Sequence, residues 1–401
     1  GYIGKWHLDG GDYFGYGVCP DGWDPGYWYD MRTYLEEHTE ADRVRSRLPQ
    51  TIHDPGFNAE FTYGHRCSNR AIDFLRQHHD EDFLLVVSYD EPHGPFLCPP
   101  EYLDLYDGYE FPKRPNVWDT LEGKPAHQQV WAGPARTRDR DQVKITPTQF
   151  LACNSFVDHE IGRVVSAIDE YAPDALVVYT SDHGDMLQSH CLHGKGPAMY
   201  EEITHIPFLV RWPGVTEAGS VTEQLASHID LVPTLLTAAQ LPVPNLLQGT
   251  SLIPTLADPD TASRDALFME FGRYEVDHDG FGGFQPVRCV YDGRYKLVLN
   301  LLCTDELYDL GADPYELVNL IDEPAHAAAR DALHDQLIDW QNTSRDPFRG
   351  YWWHTRPWRT DAPAATWAHT GLTRQREADE GEKWQLDYDT GIDMVEATRR
   401  K

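Results

Sequence analysis

Ala175-Leu176-Val177-Val178-Tyr179-Thr180 runs directly into Ser181-Asp182-His183-Gly184, and ten residues later the chain reaches Gly194-Lys195-Gly196. A short apolar, β-branched run that breaks into an acid, an imidazole and a glycine reads as a buried strand with two polar groups at its C-terminal end. Open α/β sheets place their ligands at that end. Asp182 and His183 are hard and borderline ligands for a divalent cation, and the glycine-flanked turn can return Lys195 to the same cleft. A cation beside a lysine suits an anion, because both stabilise charge on sulfuryl or phosphoryl oxygens. Taken alone, the stretch reads equally well as a strand-end turn whose Asp and His cap a helix.

Two further stretches change that balance. The chain opens on Gly1-Tyr2-Ile3-Gly4-Lys5-Trp6-His7-Leu8, and the strand-like Phe83-Leu84-Leu85-Val86-Val87 leads into Ser88-Tyr89-Asp90-Glu91-Pro92-His93-Gly94-Pro95-Phe96. With the Ser-Asp-His-Gly stretch and its later Gly-Lys, these resemble, in family order, the motifs of the sulfatase family of the alkaline phosphatase superfamily. Glu306-Leu307-Tyr308-Asp309, continuing through Asp313-Pro314 to Asn319-Leu320, resembles the family's C-terminal signature. The likeness spans residues 1 to about 320, and bacterial sulfatases share segments such as Gly4 to Gly10 and Phe281-Gly282-Gly283-Phe284.

The resemblance implies an alkaline-phosphatase-like α/β sandwich: a large, mostly parallel or mixed sheet flanked by helices, with a smaller antiparallel subdomain after it. It implies that Asp182 and His183 bind a metal and that Lys195 holds a sulfate oxygen. Lys5 and His7 correspond to the pair that touches the hydroxyls of formylglycine, the histidine taking a proton as sulfate leaves. His93 binds sulfate or protonates the leaving alcohol, a task that suits an imidazole near neutral pH. Carboxylate-rich oxygen ligation favours Ca²⁺, while a histidine ligand also admits Mn²⁺ or Zn²⁺. In an extended segment Lys5 and His7 project to one side, and Trp6 between them points to the core.

One departure stands beside these matches. Family members carry two metal-binding aspartates after their first strand, then Cys-x-Pro-x-Arg or Ser-x-Pro-x-Arg, whose Cys or Ser becomes formylglycine. Neither element is in this sequence, whose first residue already lies inside a motif. The expectation is therefore a C-terminal piece of a longer polypeptide, with formylglycine and the remaining carboxylates in the missing N-terminal segment. None of the seven cysteines, Cys19, Cys67, Cys98, Cys153, Cys191, Cys289 and Cys303, is followed by Pro-x-Arg at the required spacing. They read as small, buried or half-buried residues.

Composition suits a large enzyme: 401 residues, 41% hydrophobic and 12% aromatic, can bury a substantial core. The balance of 34 basic against 65 acidic residues excludes a general nucleic-acid binder and makes any anion site a local exception. Apolar runs stay short of the roughly 18 to 20 residues of a membrane span. Seven irregularly spaced cysteines argue against a disulfide framework and favour a reducing cytoplasm.

Periodicity divides the chain. Residues 9–62 read as long loops with short helices; helical spacing covers 63–79 and 146–171, and short apolar strands cover 83–88, 175–180 and 206–211. A helix at 230–239 closes a catalytic domain of residues 1–264, whose Pro-rich end marks a boundary. A small α+β subdomain of residues 265–345 follows, with strands at 266–271, 287–291 and 295–299. Asp292-Gly293 marks a hairpin between the last two, and a helix covers 324–343. Residues 346–401, with Trp352, Trp353, Trp358, Trp367 and Trp384, form an irregular tail that wraps the surface or serves a homo-oligomer interface, the former being expected.

Arg273 and His278, between two strands, join Arg288 as residues that line the substrate's non-reacting side, the alternative being surface salt bridges. His190 and His193 flank Cys191 and are expected to pack there rather than make a second metal cluster. The activity expected is hydrolysis of a sulfate ester, a small molecule or a saccharide, without nucleic acid or membrane as partner. The alternatives are a phosphonate monoester or phosphodiester hydrolase of the same superfamily, or a catalytically silent anion-binding homologue.

Overall fold

The structure, a computed structural model, describes residues 1–8, 13–139, 143–244, 247–272, 284–344 and 346–364. They form two compact units, Gly1–Pro112 with Lys144–Leu176, and Lys113–Val143 with Val177–Lys401.

In the first unit β1 (Tyr2–Gly4) lies between β2 (Trp28–Tyr29) and β3 (Val86–Ser88), parallel to both. Ile3 pairs with Tyr29 on one side and Val87 on the other and is fully buried. Gly4 takes φ 121°, and a Cβ there would lie 1.9 Å from the Ser88 carbonyl oxygen, so glycine alone lets β1 run this close to β3. The helix Tyr63–His78 starts at Thr62, whose hydroxyl accepts the His65 N–H at 3.4 Å. It buries Cys67, Ala71, Phe74 and Leu75, three and four residues apart, as a core-facing stripe must be. The helix Thr148–Tyr171 adds Val164 and Ala167 to the same cluster as Ile3, while its first half packs Ala152, Cys153 and Phe156 against Cys98.

These elements match the expected helices and strand. The difference is β2, inside the stretch read as loops and short helices. Two residues carry no period, and only pairing to β1 makes them a strand.

In the second unit β4 (Val177–Thr180) pairs antiparallel with β5 (Phe208–Arg211), with Tyr179 opposite Leu209. β4 was expected to be buried, yet Tyr179 is 43% and Leu209 58% exposed. A ribbon of two strands leaves one face outward, so an apolar run is not by itself proof of burial. The start of β5 is trimmed to Phe208 because Pro207 offers no N–H to a ladder. The parallel pairing expected of the sheet is found in β1 to β3.

A four-stranded antiparallel sheet in the order β6 (Leu267–Phe271), β7 (Val287–Tyr291), β8 (Tyr295–Asn300), β9 (Glu306–Asp309) follows. β7 and β8 are joined at Asp292-Gly293, where Gly293 has φ 95°. β9 was read only as a signature, because its two charged residues hide a strand that is buried throughout. The helix Ala327–Ser344 covers the sheet with Leu333 and Leu337, and Trp353 and Trp358 from beyond it join that core. The fold class is α/β. No helix among the described residues is long and apolar enough to cross a membrane, and all seven cysteines are free thiols.

Candidate active site

The end of β4 is held in a tight turn. The Ser181 hydroxyl donates to the His183 carbonyl at 2.9 Å, and the His228 Nε2 lies 2.8 Å from the Ser181 carbonyl. Gly184 donates to the Ile203 carbonyl at 2.9 Å, and a Cβ on it would stand 2.0 Å from the Glu202 carbonyl oxygen. The glycine of the motif is thus a close-approach residue. The Met186 N–H bonds to the Gly194 carbonyl at 2.9 Å, and Gly194 turns back at φ 63°, so the chain returns to the strand end and delivers Lys195.

This return has a chemical consequence. His183 Nδ1 lies 2.8 Å from the Gly184 carbonyl, which only accepts, so Nδ1 carries the ring proton and Nε2 the lone pair. Lys195 Nζ donates to that lone pair at 2.8 Å, and Asp182 Oδ2 lies 3.3 Å from it. A carboxylate oxygen, 75% exposed at its side chain, and an imidazole nitrogen whose lone pair accepts from Lys195 therefore sit side by side, and a cation bound there would take the place of the ammonium on that lone pair. Nδ1 fixed on a backbone carbonyl is the arrangement metal-binding histidines use. The donor set fits a divalent cation that accepts oxygen and imidazole nitrogen.

In the first unit, Lys5 leaves β1 with its N–H on the Ser88 carbonyl at 2.7 Å. Its ammonium lies 4.6 Å from the centre of the Tyr13 ring, and His7 meets the same ring edge-on at 5.6 Å. Lys5 and His7 thus face one side, while Trp6 packs among Tyr2 and Trp28. His93 sits beside them, its Nδ1 2.9 Å from the Gly94 carbonyl and 3.4 Å from the Tyr13 hydroxyl.

Asp90 ties these groups together. One oxygen pairs with Lys5 at 3.0 Å, and the Tyr13 phenol donates to the carboxylate at 2.6 and 2.7 Å. Arg47 approaches from the far side, 3.7 Å from Asp90 and 3.3 Å from the Tyr13 oxygen. Burial works against the Asp90 charge, but Lys5 and the Tyr13 hydroxyl outweigh it and hold the carboxyl below the usual range. Burial, then Asp90, pushes the Tyr13 phenol up, which keeps it a donor. Tyr13, Arg47 and Asp90 carried no assigned role in the sequence. Asp90 lies within the quoted motif three residues before His93, so position was the available signal, whereas Tyr13 and Arg47 arrive from distant loops.

Arg273 and His278 lie outside the described residues. Arg288 is on β7, its side chain 3% exposed and its guanidinium clasped by both oxygens of Asp346 at 2.6 and 3.0 Å. Cys191 Sγ turns to the Val117 and Asp119 carbonyls and His193 is exposed, so the two histidines and the cysteine pack separately. His190 instead offers a ring nitrogen within 4.8 Å of carboxylate oxygens of Glu202 and Glu316. Those atoms are already engaged: Asn116 bridges His190 and Glu202, and Glu316 takes Lys296 and the Glu201 N–H.

A sequence profile of the sulfatase family matches residues 1–241, and one described as N-sulphoglucosamine sulphohydrolase, C-terminal, matches residues 190–343. The chain is 44% identical over 398 residues to "Uncharacterized sulfatase YidJ" of Escherichia coli, covering 98% of this chain and 78% of that protein. A solved structure of a protein in complex with its substrate D-glucosamine-2-N,6-O-disulfate superposes with a TM-score of 0.69 at 20% identity, covering 86% of this chain and 80% of that one. The phosphonate monoester hydrolase of Silicibacter pomeroyi superposes with a TM-score of 0.63 at 25% identity, covering 77% and 68%.

Proposed function

From a chain that belongs to the sulfatase family, within the alkaline phosphatase superfamily, we propose an enzyme that hydrolyses a sulfate ester of a small molecule or saccharide to an alcohol and inorganic sulfate. The observation that carries this reading is the turn after β4, where Asp182 and the lone-pair nitrogen of His183 lie 3.3 Å apart with Lys195 upon them. Asp182 and His183 would hold a divalent metal, Ca²⁺ first and Mn²⁺ or Zn²⁺ next, which would supply positive charge to the sulfuryl oxygens. Formylglycine, where present, would supply the attacking hydroxyl. Lys195 neutralises an equatorial oxygen as charge develops. Lys5 and His7 orient the attacking hydroxyl, and His7 accepts a proton when sulfate departs. His93 gives a proton to the leaving oxygen.

The family supports the ester chemistry, and the sulfated-sugar complex of the structural neighbour supports a saccharide. Seven free thiols support a cytoplasmic enzyme. The likeness to a phosphonate monoester hydrolase makes that activity the second reading, since the same cations stabilise phosphoryl oxygens.

Parallel turnover of 4-nitrophenyl sulfate and 4-nitrophenyl phenylphosphonate by the full-length enzyme separates the two. Dominant turnover of the sulfate, abolished by a chelator and by His183→Ala together with loss of bound metal in elemental analysis, is the expected result. Faster turnover of the phosphonate ester selects the second reading, and turnover of neither sinks both.

A further inference from the structure

We infer that Asp90 and Tyr13 are positioning residues that hold Lys5 and His93 in register and keep the His93 ring supplied with a charge-stabilising acceptor at Nδ1. This rests on the sulfatase reading and goes beyond it, because neither residue belongs to the groups that touch the reacting atoms.

The geometry carries the argument. The Tyr13 phenol spends its single proton on Asp90 at 2.6 and 2.7 Å. Its oxygen then faces His93 Nδ1, at 3.4 Å, as an acceptor, and its donation to a carboxylate makes that oxygen more negative. The Nδ1 proton therefore lies between the Gly94 carbonyl, 2.9 Å away, and a phenol polarised by Asp90. With Nδ1 held, the proton exchange with a leaving group is assigned to Nε2. The Asp90 carbonyl also accepts the His93 N–H at 2.8 Å, so one residue sets both the backbone turn and the ring's electrostatics.

Charge bookkeeping points the same way. Around His93 stand Tyr13, Asp90, Glu91 and Arg47, with Lys5 over the Tyr13 ring and His7 at its edge. Lys5 and Arg47 both disfavour an imidazolium, and Asp90 lies against both cations at 3.0 and 3.7 Å. Removing its charge leaves two cations unscreened beside the acid.

In the step assisted, sulfur bonds to the attacking oxygen, whose hydroxyl proton passes to water, while the ester S–O bond breaks and its electron pair stays on the leaving oxygen. That oxygen takes the proton from His93 Nε2, and the ring ends neutral with Nδ1–H still on its two acceptors. A nitrophenolate leaves without a proton, whereas an alkoxide needs one.

Tyr13→Phe keeps the ring under Lys5 and removes only the oxygen. In the full-length enzyme it is expected to slow an alkyl sulfate, glucose 6-sulfate, about tenfold while leaving 4-nitrophenyl sulfate nearly unchanged. The basic limb of kcat/KM for the alkyl ester moves down by about one pH unit. Asp90→Asn lowers the same basic limb and in addition slows both esters and raises KM, because Lys5, which orients the attacking hydroxyl, loses its partner. Equal slowing of both esters by Tyr13→Phe with an unmoved basic limb overturns the inference.

A readout without turnover is the titration of His93 followed by ¹⁵N chemical shifts. Its midpoint falls in both variants if the inference holds, and an unchanged midpoint in folded variants rejects it. If the wild type hydrolyses neither ester, the sulfatase reading fails while this titration still judges the relay.

Discussion

At the scale of single residues, Asp90 and Glu91 are adjacent carboxyls with opposite fates. Asp90 meets Lys5, Tyr13 and Arg47 and stays charged. Glu91 has one oxygen on the Gly64 N–H at 2.9 Å and the other buried without a partner. Burial, then the Asp90 charge, pushes its carboxyl up to about 7. The folded form therefore keeps a proton that the unfolded chain releases above its ordinary value of 4.5. Stability is present below that value and is lost as pH rises through about 7. Glu91→Gln removes the charge that burial penalises, so at pH 8 it is expected to be more stable than the wild type by about 3 kcal/mol. The advantage disappears at pH 4.5; thermal unfolding of both proteins across this range checks it, and a pH-independent difference refutes it.

The residues of the turn after β4 were the most legible part of the site. Asp182, His183, Gly184 and Lys195 were named from their spacing and from the family's motifs, and one turn brings them together. Tyr13 and Arg47 were illegible for a physical reason. Each reaches His93 and Asp90 across roughly forty to eighty residues of chain, and no local pattern records a contact that far apart.

At the scale of elements, helix stripes and hairpin signals were reliable because their period and turn chemistry are local. β2 and β9 were missed because two residues, or four with charges at both ends, owe their strand character to a neighbour. β7 shows how an element can bury charge. Arg288 points inward with Asp346 in a two-pronged pair, and Phe348 and Gln341 add bonds to the same carboxylate. Breaking such a pair strands the remaining ion, a loss of about 3–5 kcal/mol. Arg288→Ala is thus expected to lower the unfolding midpoint in urea sharply without changing the slope. A variant of unchanged stability but raised KM would instead assign Arg288 to substrate.

At the scale of the whole molecule, the acidic surplus gives a net charge of −31, and so much like charge repels itself. Raising salt from low to about 0.5 M shortens the screening length below about 5 Å and is expected to raise the melting temperature by a few degrees. A melting temperature that falls with salt would mean that surface ion pairs outweigh the repulsion.

What the sequence by itself determined is the family, the α/β class, the positions of the long helices and the motif residues Lys5, His7, His93, Asp182, His183 and Lys195. These are encoded by residue type and short spacing, which the chain carries without folding. Only the tertiary structure decided which nitrogen of His183 keeps its lone pair, and which carboxylate, phenol and guanidinium surround His93. Tautomers and partners are set by distances of about 3 Å between segments far apart in the chain, and such distances exist only once the core has closed.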